Sequence, residues 1–104
     1  MAEIDPSILL KIKTNLRISH SALDDDISDA AEACLADLAV CGIHPPASDD
    51  PQEMDPLILN AVKLYCRVAF TDDTAKAAEY QRRYDSLKSC LMMAEGYGWR
   101  ADDE

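Results

Sequence analysis

The chain has 104 residues, of which 48% are hydrophobic, and a formal net charge of −10. That length holds one domain with a modest core, and the apolar content is too high for a disordered polymer. Three glycines and one phenylalanine do not suit a turn-rich β protein. No run approaches the roughly 18 apolar residues of a membrane span, and the N-terminus lacks the charged-then-apolar pattern of a secretion signal.

Asp5-Pro6 reads as an N-cap followed by proline at the first helical position. Ile8, Leu9, Ile12 and Leu16 then recur at helical spacing, which predicts a short amphipathic helix over 6–16. A polar link follows. Ser21, with Asp24 three residues on, is the pattern of a capping box with Asp in place of Glu. The acids at 24–26 suit the positive end of a second helix, 24–41, whose stripe is Ile27, Ala31, Cys34, Leu35 and Leu38. Gly42 is a stop signal, and Ile43 after it fits the hydrophobic contact of a Schellman ending.

The segment 43–54 has three prolines and no period, so it reads as a long loop. Asp55-Pro56 then opens a third helix, 56–70, as Asp5-Pro6 opens the first. Its apolar residues run around the whole cylinder: Leu57, Ile58, Leu59, Ala61, Val62, Leu64, Tyr65, Cys66, Val68 and Ala69. Such a helix must be covered on all sides, which makes it the largely buried centre of the fold. Thr71 to Thr74 breaks and recaps the chain, and a fourth helix over 74–95 carries a narrower stripe of Ala77, Tyr80, Tyr84, Leu87, Leu91 and Ala94. Gly96 and Gly98 end it and leave a flexible tail, 96–104. The expected fold is therefore all-α, a single domain over 1–104 built as a small bundle of four helices. The octapeptides DDISDAAE, 25–32, and DDTAKAAE, 72–79, make the two halves look like related hairpins, though two copies are too few for a solenoid.

Charge is segregated along the chain. Residues 1–23 sum to +1 and residues 56–104 to −1, whereas 24–55 hold ten acids and no Lys or Arg. This bias opposes intrinsic binding to nucleic acid. It leaves two interpretations, a solvated face or half of an electrostatic contact whose other half is the basic stretch 82–88. Candidate interface residues are accordingly Asp25, Asp26 and Asp29 against Arg82, Arg83 and Lys88. Tyr97 and Trp99, beyond the last helix, either fold back onto the core or form an aromatic anchor for a partner.

No chemistry-bearing motif stands out. The chain has no Gly-rich phosphate loop, no His-Glu-x-x-His and no nucleophile elbow. His20 and His44 fall in predicted loops, where each reads as a surface residue rather than a base. Cys34, Cys41, Cys66 and Cys90 form no Cys-x-x-Cys pair, so they read as reduced thiols and no metal or other cofactor is expected.

The order and spacing of these blocks resemble the small head–tail connector proteins of tailed bacteriophages and prophages, also described as head-completion adaptors or DNA-packaging proteins. The resemblance runs over residues 8–97. It rests on LKIKTNLRI, then DDDISDAAEACLADL, then DPLILNAVKLYCRVAF, and last EYQRRYDSLKSCLMMAEGYG. It implies a non-enzymatic, all-helical subunit of the virion that assembles in the host cytoplasm. Copies would form a head-to-tail ring joining the portal to the next adaptor or tail component. DNA would pass through the channel without sequence-specific binding, and no membrane is involved. A competing reading from charge alone is a small acidic regulator, antitoxin-like, that binds a basic partner.

Overall fold

A computed structural model describes residues 4–44 and 54–94. It contains helices α1 (Pro6–Leu16), α2 (Asp24–Val40), α3 (Pro56–Phe70) and α4 (Thr74–Met93), and no strand occurs among the described residues. The all-α bundle expected from the periodicity is what forms, with α2 one residue and α4 two residues shorter than expected at their C-termini. The expected loop lies outside the described residues over 45–53, as does the expected flexible tail.

Three of the four helices start on an aspartate. Asp5 accepts from the Ser7 amide at 2.9 Å, Asp55 from the amides of Leu57 and Ile58, and Asp73 from those of Ala75 and Lys76. Each satisfies amides that have no partner within the helix. The second helix departs from expectation. Its N-cap is Leu23, no side chain caps it, and Ser21 contributes only its carbonyl oxygen to the Asp24 amide. The predicted capping box does not form. Instead, Asp24, Asp25 and Asp26 all fall within the first turn, where they offset the helix dipole. The paired octapeptides therefore occupy different registers: Asp73 caps α4 from outside, while Asp26, its counterpart, is already inside α2.

The first two helices end alike. At the end of α2, Gly42 has φ 83°, its amide bonds to Ala39 O and the Ile43 amide bonds to Leu38 O, with Leu38 and Ile43 both buried. This is the Schellman ending that Gly42 announces. At the end of α1 the same two bonds recur, Arg17 to Thr14 O and Ile18 to Lys13 O, but the left-handed position (φ 60°) is filled by Arg17. The sequence gives no warning of this, because the expected glycine is missing.

The core joins Ile8 and Ile12 of α1, Ile27, Ala31, Cys34 and Leu38 of α2, Ile58, Leu59, Ala61, Val62 and Cys66 of α3, and Tyr84 and Leu91 of α4. Helix α3 is the central element and packs on each of the other three. It is not, however, covered all round within one chain. Leu57 is 42% exposed, Ala69 is exposed, and Leu64 and Val68 are half-covered. Helix α4, the longest, buries only Tyr84 and Leu91, and the other four residues of its stripe are half-covered.

The backbone makes a specific prediction. Arg17→Gly should leave the protein equally stable or stabilise it by up to about 1 kcal/mol, because the relieved left-handed strain exceeds glycine's extra chain entropy. Gly42→Ala should cost about 1 kcal/mol although its methyl meets no atom within 4 Å, since φ 83° remains disfavoured for alanine. Urea unfolding followed by circular dichroism measures both.

Candidate subunit interface

Two polar clusters tie the helices together. The first is centred on Arg67 of α3, which the sequence presents only as one cation in an apolar helix. Its Nε donates to Asn15 Oδ1 at 2.8 Å, its Nη2 to the Asn15 carbonyl at 3.1 Å, and its Nη1 to the Tyr80 hydroxyl at 3.0 Å. The guanidinium carbon also lies 5.2 Å from the centre of the Tyr80 ring. The Asn15 carbonyl belongs to the last turn of α1, whose acceptors lack helical partners, so the arginine completes that helix while bracing α4. Lysine has no planar fork with which to make all these contacts.

The second cluster joins α2 to α4. Tyr84 is buried, and its hydroxyl donates to Asp37 Oδ2 at 2.7 Å, while Lys88 Nζ reaches the same oxygen at 3.1 Å. The Cys34 thiol points at the Tyr84 oxygen at 3.7 Å, and the Tyr65 ring meets the Tyr84 ring edge-on at 5.5 Å. The hydrogen bond from Tyr84 is the main reason the Asp37 carboxyl titrates below the usual range. Burial, followed by that same bond, pushes the Tyr84 hydroxyl upward. Burial also drives the Cys34 thiol up to about 11 and the Cys66 thiol up to about 12. Such thiols are protonated at neutral pH and are poor nucleophiles, so this cluster is a latch rather than a reactive centre.

The candidate interface residues fall into three groups. Asp25, Asp26 and Asp29 are exposed on the first turns of α2 and have no bonding partner among the described residues, whereas their neighbour Asp24 pairs with Lys13 at 2.7 Å. Of the basic set, Arg82 is exposed and unbonded, Arg83 pairs with Glu79 one turn away at 2.7 Å, and Lys88 is held by Asp37. The 82–88 stretch therefore presents less free charge than its composition implies. Tyr97 and Trp99 lie outside the described residues. A basic surface that sequence reading missed lies elsewhere. Between α1, α3 and α4, three adjoining hollows share Asn15, and the largest, roughly 380 Å³, is lined in part by Arg17, Arg67 and Lys76. These cations are far apart in sequence, so no local charge run marks them.

The clusters yield two predictions. Tyr84→Phe should lower stability by about 1 kcal/mol and return the Asp37 carboxyl toward its ordinary range in an NMR titration. The sign follows from linkage. A depressed carboxyl pKa adds stability that is complete above the unfolded value and is lost as pH falls through the folded value. In Tyr84→Phe that acid-side loss should therefore be smaller and be complete at a higher pH. Among the thiols, exposed Cys90 should react first with a thiol reagent and half-buried Cys41 next, while buried Cys34 and Cys66 wait for unfolding; denatured protein should titrate four thiols. Fewer than four in fresh, unoxidised protein would contradict reduced cysteines.

None of the four described helices is long and apolar enough to cross a membrane. No curated protein and no solved structure matches the chain. The model of one protein family does, over residues 8–98, and that family is described as phage connector protein. The match takes in α2, α3 and α4, all but the first two residues of α1, and both polar clusters, and it spans far more than half of the sequence. The chain belongs to the phage connector protein family, a structural family rather than an enzymatic one.

Proposed function

We propose that this protein is a subunit of a head–tail connector ring. It joins the portal to the next adaptor or tail component and surrounds the channel through which DNA passes. The family match over residues 8–98 carries the reading. Two features of the molecule support it. The central helix keeps apolar surface that its own chain leaves open, at Leu57, Leu64 and Val68. Asp25, Asp26 and Asp29 of α2 also stand exposed and unpaired among the described residues, where an adjacent copy can meet them. Contacts between two different patches propagate head to tail and close into a ring when the rotation per subunit allows it.

In this reading Asp25, Asp26 and Asp29 form one side of the subunit contact. Arg82, with Arg83 and Lys88 nearby, is a candidate for the other. Tyr97 and Trp99 add an aromatic anchor toward the portal or a neighbour. The subunit acts in the virion and assembles in the bacterial cytoplasm, without enzymatic activity. A net charge of −10 suits a channel wall that lets DNA slide, because it does not hold phosphates.

Electron microscopy of the purified protein, alone and mixed with the portal, tests the proposal. Closed rings of uniform diameter, free or seated on the portal, are expected. A chain that forms no ring in either sample, and instead captures a small basic protein from its own operon, would replace the connector with an acidic regulator.

A further inference from the structure

The three hollows between α1, α3 and α4 form one continuous basic surface. Lys11, Arg17, Lys63, Arg67, Lys76 and Arg83 line them, six of the ten Lys and Arg in the chain, and no Asp or Glu does. Helix α2 contributes nothing to their walls. Of the six cations, Arg67 is spent on Asn15 and Tyr80, and Arg83 on Glu79. The side chains of Lys11, Arg17, Lys63 and Lys76 have no bonded partner among the described residues. The opposite charge is concentrated on α2, where Asp25, Asp26 and Asp29 are exposed and equally unpartnered.

From this separation we infer that the basic hollow receives the acidic first turns of α2 from a second copy of the chain. Asp25, Asp26 and Asp29 of one subunit then face Arg17, Lys63 and Lys76 of the next. The inference rests on the ring reading and gives that ring its contact. It moves the basic half away from the 82–88 stretch, where two of three cations are already engaged within their own subunit. The two patches come from different elements and share no residue, so the contact cannot pair a patch with itself. It can therefore run head to tail, the hollow of each subunit taking the acids of the next, as a ring requires. A second copy suits the hollow better than a nucleic acid does. The subunit as a whole repels phosphate at a net −10, whereas another copy brings its acids on a helix that has no Lys or Arg.

Charge exchange tests this, using side chains that make no bond within the subunit. K63E/K76E and D25K/D29K should each keep the helical circular dichroism of the parent. Each should weaken self-association about tenfold or more in sedimentation velocity at low salt, the effect of losing two or more exposed pairs that act together. The chain carrying all four substitutions should recover association, because acid and base have traded places. Parental association should fall as salt screens the contact. If the parent associates and all three variants associate equally well, the ring reading stands and the hollow is not its contact. If the parent stays monomeric at every concentration and salt and forms no ring on the portal either, the ring reading fails and this inference falls with it. If K63E/K76E loses affinity for duplex DNA while its association is unchanged, the hollow is a nucleic-acid surface and the inference is overturned.

Discussion

Helix α3 carries more apolar surface than any one neighbour can cover, and the architecture follows from that. Its buried residues, Ile58, Leu59, Ala61, Val62 and Cys66, fall on a broad face rather than a narrow stripe. A second helix covers a strip of such a surface, so three are recruited, with α1, α2 and α4 each packing on it. Each of these can then be amphipathic. The polar clusters sit at the margins of this packing, where α1 ends against α3 and where α2 meets α4. Apolar contact brings the helices together, and the directed bonds of Arg67 and Tyr84 fix how they lie.

The same constraint shapes the outer surface. A central helix with one Lys and one Arg cannot hold much charge, so charge accumulates on the outer helices, each of which has its own bias. In α2 the first turn holds three acids and the helix has no base, and the cations of the hollow come from α1, α3, α4 and Arg17, with none from α2. Segregation along the sequence thus becomes segregation in space. An acidic protein can carry a local basic surface, and the overall charge is a poor guide to either face.

Much of the fold is legible in the sequence because its signals are local. Asp-Pro at 5–6 and 55–56 marks two helix starts through bonds spanning only a few residues. Gly42 marks an end because left-handed backbone suits glycine. The helical periods of α1 and α2 predict which side chains are buried. What escapes is less local. Arg17 takes the glycine position of a second Schellman ending, and nothing nearby announces it. Arg67 and Asn15 stand 52 residues apart, and the basic hollow assembles cations from three helices. The Tyr84–Asp37 bond is similarly remote, although a tyrosine on an apolar stripe is a hint that its hydroxyl needs a partner. The segregated acids of α2 are plain in the sequence, but their basic counterpart requires the folded arrangement.

Arg67 also has a bearing on how the protein comes apart. One of its bonds is to the backbone carbonyl of Asn15, which is presented correctly only while the last turn of α1 is wound. Another is to Tyr80, near the start of α4. Fraying of α1 therefore releases the guanidinium from Asn15 and loosens its hold on α4, and displacement of α4 weakens the end of α1. Two hairpins that could behave as separate units are thus coupled by this side chain in addition to the shared core and the Tyr84–Asp37 bond. Their slowest amide protons should exchange together, as members of a single cooperative unit, instead of in two stages.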